Sequence, residues 1–326
     1  MKSHVSTSEK FQSVFVALAA LAGLGAGLFP PVGEAAGHLV LPALMLMLTA
    51  VFAQVDVGQV REAGAAGRVV AVSLVLNFVF TPLLAWALGA GLLGHSPDLR
   101  IGLLLLLVTP CTDWYLVFTG LARGHMGVAA AVLPVNLVLQ LLLLPLYVLL
   151  LGGEAAMVDA GTLLEAVLLV LLVPLLSAVV LRGVARRWKG ADWRDTVLIP
   201  RVAGVVLPLL YTAVLAMFAW QARTVLSHFG ELAALLPPLS LFFVVAPLVA
   251  VLVARLLRLP ADQRVTLTMT TVARNSPTAL AIAVAAFPDR PLIAVALVVG
   301  PLLELPVLAL LSQLVRVRPK ESSLRH

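Results

Sequence analysis

Thr109-Pro110-Cys111-Thr112-Asp113 interrupts a long apolar run, Ile101–Val108 before it and Leu116-Val117-Phe118 after it, and decides how the whole chain is read. A charge at the centre of a bilayer costs roughly 2.5–3.5 kcal/mol on insertion scales, so Asp113 reads as a residue kept for use. Proline removes a backbone donor and breaks a helix's hydrogen-bond ladder. The freed carbonyls are tolerated at membrane depth only beside other protein or a water-filled cavity. Cys111 is the one cysteine in 326 residues. An interrupted helix, a soft thiol and a carboxylate together read as a binding site for a solute that crosses the membrane.

Working outward, the chain is 61% hydrophobic and 12% charged, which excludes a soluble globular domain. Apolar runs of about 20 residues, each long enough to cross a hydrocarbon core, recur at 12–30, 38–55, 68–93, 100–121, 126–151, 161–181, 199–221, 234–254, 265–287 and 291–315. Ten spans leave no soluble domain. Lys2 and Lys10 precede an apolar run with no small-residue cleavage site after it, so the first run is expected to be a retained span. One cysteine excludes an internal disulfide and any multi-cysteine metal site. No cofactor and no nucleic-acid partner is expected. The net charge of +6 sits in short connections between spans.

Those connections orient the chain. Of the 22 Lys and Arg, 18 fall at the termini or in even-numbered connections, including the cluster Arg182, Arg186, Arg187, Lys189, Arg194 and Arg201. Only Arg100, Arg223 and Arg290 lie on the other side, and Arg274 lies within a span. The positive-inside rule then places both termini in the cytoplasm of a plasma-membrane protein. The arginine cluster reads as a topology determinant that also touches anionic lipid.

The chain also reads as duplicated. Pro42 and Pro208 lie 166 residues apart, and Pro82 and Pro247 lie 165 apart. The second offset carries Pro110 to Asn275, inside Arg274-Asn275-Ser276-Pro277, the second polar interruption. Five spans per repeat is an odd number, so the repeats, 1–155 and 156–326, must be inverted. Inverted repeats with discontinuous helices at matching positions point to a secondary transporter whose site lies near the bilayer midplane.

Candidate site residues follow from these interruptions. Cys111 is either a ligand for a soft solute, helped by the helix N-terminus after Pro110, or a small buried hydrophobe. Thr112 and Asp113 are good helix caps, and Asp113 can also hold a proton, orient hydroxyls or pair with a cation. Arg274 is expected to pair with Asp113 across the centre, or else to snorkel to the cytoplasmic face. Asn275 and Ser276 can line a cavity, and Pro277 is expected to end the half-helix before it. Glu304, between Pro301 and Pro306 in the tenth span, is either a proton site or a hydrogen-bond acceptor for freed backbone. Asn136 and Gln140 share one face of the fifth span, and Asn77 sits in the third; such amides are either interhelical glue or ligands. Glu165 reads as interfacial. His95, His125 and His228 are loop residues without metal-ligand spacing.

Three ordered motifs resemble one family. Pro110-Cys111-Thr112 with Leu121-Ala122-Arg123-Gly124 resembles the fourth-span signature of the arsenite permeases related to the bile acid–sodium symporters. Ala273-Arg274-Asn275 with Leu280-Ala281-Ile282-Ala283-Val284 resembles their ninth, and Gly300-Pro301-Leu302-Leu303-Glu304-Leu305-Pro306-Val307 their tenth. The resemblance implies an all-α polytopic membrane protein. It has ten helices in two inverted five-helix repeats, with crossed discontinuous helices four and nine, and core plus panel domains. It also implies export of a trivalent metalloid, arsenite and sometimes antimonite, with Cys111 as the thiol that meets it. This chain departs from the family at Asp113-Trp114-Tyr115, and Ser276-Pro277-Thr278-Ala279 lacks the acidic residue common there. An acidic role held there in relatives would move to Asp113 or Glu304, or be lost.

The leading expectation is a proton-coupled metalloid exporter. The rival is an organic-anion carrier in which Arg274 binds the anion and Cys111 only packs. An enzyme is not expected, because no nucleophile–His pair lies within the spans.

Overall fold

The structure, a computed structural model of the chain, describes residues 12–54, 67–111, 114–152 and 160–316. Thr112, Asp113, the repeat boundary expected at 155/156 and most of the charged termini lie outside the described residues. What is described is helical almost throughout. The helices are α1 Gln12–Gly27, α2 Pro30–Ala53, α3 Gly67–Leu92, α4 Pro97–Val108, α5 Trp114–Leu121 and α6 Met126–Leu151. They continue with α7 Ala160–Lys189, α8 Ala191–Trp220, α9 Leu236–Leu256, α10 Ala261–Val272, α11 Ser276–Ala286 and α12 Pro291–Leu314. By length and composition, six helical segments can cross a membrane, or seven if the bent α6 counts as one. The chain is a multi-pass membrane protein.

Prolines shape these helices. α6 bends by 54° near residue 141. Pro145 has no N–H to offer the carbonyl four residues earlier, which is where the bend falls. In α3 the missing N–H of Pro82 frees the Phe78 carbonyl, and the Tyr147 hydroxyl of α6 donates to it instead. The same stretch of α3 widens into a π-helical turn over Leu76–Phe80, which contains Asn77. Such single turns are frequent at functional sites.

The most buried helix is α4, whose residues Ile101–Val108 are all buried. It packs against α12, where Gly102 admits Ala296 so closely that a Cβ would meet it at 2.8 Å. At the periphery, Gly23 and Gly27 of α1 lie directly on the Leu215 and Ala219 carbonyls of α8, where no Cβ fits. This is the small-residue packing that lets backbones approach in lipid, where no hydrophobic force draws helices together. α7 turns an apolar face outward, with Leu169, Val173, Leu176 and Val180 exposed. In water that stripe would be a liability; in a bilayer it is the lipid-facing surface.

Candidate functional site at the helix crossing

The two interrupted helix pairs, α4/α5 and α10/α11, meet at their breaks. Pro110 and Arg274 stand opposite one another as an isolated antiparallel bridge. The Cys111 N–H donates to the Ala273 carbonyl at 3.1 Å, and the Asn275 N–H donates to the Thr109 carbonyl at 2.8 Å. A shift of 164 residues converts each of these bonds into the other. Each break thus satisfies the other's backbone, which is the condition for non-helical chain at membrane depth.

Local chemistry finishes the helix ends. The Thr109 hydroxyl donates to the Leu105 and Leu106 carbonyls at 2.8 and 3.0 Å, capping α4. Asn275 Oδ1 accepts from the Thr278 N–H at 3.1 Å and caps α11. Pro277 does not end the preceding half-helix, as expected from sequence. α10 already stops at Val272, and Pro277 lies in the first turn of α11, where its missing N–H costs nothing.

Arg274 does not snorkel. It is 1% exposed and points back along the ends of α4 and α10. Nη1 donates to the Leu107 carbonyl at 2.8 Å, and Nη2 donates to Asn77 Oδ1 at 2.7 Å and to the Thr271 carbonyl. The guanidinium also lies 5.6 Å from the Phe242 ring centroid, in cation–π range. Asp113 falls outside the described residues, so the expected Asp113–Arg274 pair has no geometry here. The Arg274 backbone N–H donates to Glu304 Oε1 at 2.8 Å, which anchors α12 to the break. Glu304 is 2% exposed.

Asn77 belongs to a polar chain that sequence reading only touched. Its Nδ2 donates to Ser73 Oγ at 3.3 Å, and Ser73 shares a 3.1 Å hydrogen bond with the Thr270 hydroxyl of α10. Ser73 and Thr270 carried no motif. The signal available was the alternation Thr266, Thr268, Thr270 in a membrane-depth helix whose threonines are buried.

Asn136 and Gln140 behave differently from Asn77. Both are fully buried in α6, and among the described residues neither amide has a hydrogen-bond partner. Interhelical glue would have partners. The Ser276 and Thr278 hydroxyls at the start of α11 are likewise buried without one. Orphaned buried polar groups cost about 1–3 kcal/mol each, which marks these side chains as candidates for a ligand-facing role. Cys111 lies in the bridge itself, 2% exposed. Among the described residues no group of three or more His, Cys, Asp or Glu could hold a metal ion.

The chain is similar to the arsenical-resistance protein Acr3 of Corynebacterium glutamicum, at 28% identity over 83% of this chain and 77% of that protein. It is 24% identical to the Acr3 of Alkaliphilus metalliredigens over 74% of this chain and 70% of that one. An uncharacterized transporter of Synechocystis is 23% identical over 94% and 88% respectively. The profile of the Sodium Bile acid symporter family matches residues 41–228, more than half of the chain. The protein is a secondary transporter of a small solute and not an enzyme, and by that match it belongs to the Sodium Bile acid symporter family.

Proposed function

We propose that this chain exports trivalent arsenite, with antimonite as a second cargo, by proton antiport across the plasma membrane. The observation that carries the reading is the position of Cys111. The chain's single thiol stands in the bridge between the two interrupted helices, with its own N–H committed to Ala273. A thiolate prefers soft metalloids over hard ions. One thiolate holds its cargo less tightly than two or three, so the cargo can leave on the far side. The names of the two Acr3 relatives support the choice of solute.

The remaining roles follow. Ser276, with Thr112, Asn136 and Gln140, supplies hydrogen bonds to the hydroxyls of neutral arsenous acid, and Asn275 holds the α11 end in place. Glu304 and Asp113 are the proton sites, and Arg274 completes the ion-coupling set. Arsenous acid is uncharged at neutral pH, so export against a gradient needs a driving ion. One proton moving inward gains about 2.3 kcal/mol per 100 mV, enough for roughly a 50-fold gradient at one-to-one coupling. Counting each interrupted pair as one span, and leaving aside the short helices Ala222–Ser227 and Phe229–Ala233, the twelve labelled helices are read as ten crossings. The 164-residue exchange at the break supports reading them as inverted repeats 1–155 and 156–326, with a core around the crossing and a smaller panel. The organic-anion alternative is disfavoured because the Arg274 guanidinium already spends its donors on Asn77 and backbone carbonyls.

The test is arsenite resistance in a sensitive host, with wild type beside Cys111→Ser. Serine keeps the size and lacks the soft donor, so resistance should vanish at equal membrane expression. Full resistance in that variant would overturn the thiol mechanism.

A further inference from the structure

Six of the 22 Lys and Arg crowd into residues 182–201, where only Asp192 and Asp195 oppose them. These twenty residues carry a net charge of +4, out of +6 for the whole chain. Orienting a span takes less: the connection at 121–126 holds Arg123 alone. The C-terminal end of α7 is equivalent to about half a negative charge. It does not absorb the four cations of its last eight residues, Arg182, Arg186, Arg187 and Lys189. Part of the surplus is used locally. Arg194 donates to both Asp195 carboxylate oxygens, at 2.7 and 2.8 Å, and Arg182 and Arg186 lie near enough to act on that carboxylate. One carboxylate does not balance three guanidinium groups, and among the described residues Arg186 and Arg187 have no ion pair of their own.

The α7 surface leading up to these cations is apolar. Leu176, Val179, Val180 and Val184 are 49–62% exposed, and Leu169 and Val173 continue the face toward mid-membrane. Gly183 interrupts it. Gly183 lies three residues before Arg186 and four before Arg187, so both arginines stand one turn above it on the helix surface. A Cβ at Gly183 would meet nothing within 4 Å. The outcome is a shallow notch with hydrocarbon below it and two guanidinium groups above. Trp188, next along, is 79% exposed, more than any other large apolar side chain among the described residues. An indole at the charged end of a lipid-facing helix belongs at the level of the lipid headgroups.

We propose that the notch over Gly183 seats one anionic phospholipid, with its phosphate between Arg186 and Arg187 and its acyl chains along Leu176, Val179 and Val180. Guanidinium groups match phosphate oxygens with paired N–H donors. A soluble anion would use only the upper half of this arrangement, since the lower half is complementary to hydrocarbon. A zwitterionic lipid brings a phosphate but also a cation, which the surrounding positive charge repels. The helix so held packs against α2 and against α11 of the crossing. A lipid bound at its end therefore steadies the join between the crossing and the periphery. The inference does not depend on which solute is carried.

The experiment uses the purified full-length protein in a neutral detergent, supplied with phosphatidylglycerol or phosphatidylcholine. Bound lipid is counted by native mass spectrometry, and thermal unfolding is followed in parallel. Wild type should prefer phosphatidylglycerol about tenfold or more and melt higher with it. Arg186→Gln with Arg187→Gln should weaken that binding about 30-fold, from about 1 kcal/mol for each cation at an anionic surface. Arg255→Gln with Arg258→Gln removes the same charge from other exposed positions and should bind lipid as wild type does. Gly183→Leu changes no charge and fills the notch, so it should weaken lipid binding several-fold without lowering the melting temperature of the lipid-free protein. Equal losses in the two double variants would mean diffuse attraction and overturn the proposal. Equal retention of the two lipids by wild type overturns it as well. Displacement of the lipid by millimolar glycerol 1-phosphate would show that the seat takes a phosphate alone, which also overturns it. If the arginine double variant does not accumulate, Arg186→Lys with Arg187→Lys and Gly183→Leu carry the test. The lysine pair should keep most of the binding and Gly183→Leu should lose it, and a Leu variant that binds lipid like wild type sinks the proposal.

Discussion

Glu304 shows how one side chain joins the break to the chemistry. Its Oε1 takes the Arg274 N–H, the donor that a continuous helix would have kept for itself. On the proposed reading this carboxyl, buried between Pro301 and Pro306, exchanges protons as access alternates. Glu304→Gln mimics the protonated form permanently. Everted vesicles with an imposed pH gradient should then take up no arsenite beyond equilibration, while the variant still binds it. Gradient-dependent uptake that an uncoupler abolishes in this variant would move the proton site to Asp113. Asn77 makes a second test. Asn77→Ala leaves a guanidinium N–H without its acceptor, so stability should drop by about 1–3 kcal/mol, read as a lower melting temperature. Arg274 and Glu304 stand out in the sequence because each breaks the apolar rule, and Cys111 because it is the one cysteine. Ser73 and Thr270 do not, because hydroxyls are common in membrane helices and only their pairing marks them.

At the scale of helices, the glycines decide where backbones touch. Gly23 and Gly27 face the α8 carbonyls with no room for a side chain. Gly27→Val should force the two helices apart and cost about 1–3 kcal/mol, the usual size of overpacking. Unfolding in a denaturing detergent is the measurement, with Gly25→Ala as control, since Gly25 faces open space. Prolines were the better guide to the helices themselves. Pro110 marked the first break and the offset of 165 fell within one residue of the second. Pro277 misled, since proline both stops a helix and starts one. The π-helical turn at Leu76–Phe80 left no trace in the sequence, because an extra residue in a turn changes no composition.

At the scale of the molecule, the positive-inside pattern makes a prediction of its own. A reporter that fluoresces only when folded in the cytoplasm should light up when fused to either end of the chain. If one end stays dark, the span count is odd and the inverted-repeat reading fails with it. The sequence by itself determined that this is a multi-pass membrane protein with two polar interruptions, because hydropathy and charge act locally and the bilayer leaves few alternatives. It also singled out Cys111, Arg274 and Glu304 as unusual side chains at membrane depth. Only the tertiary structure decided what those residues touch. The expected partner of Arg274, Asp113, lies outside the described residues; the Arg274 backbone N–H holds the Glu304 carboxylate, and its guanidinium gathers Asn77 together with the carbonyl ends of α4 and α10. Those acceptors are backbone oxygens, which every residue possesses. No sequence pattern can announce which of them will be left unpaired and brought together, and that is settled by where two broken helices cross.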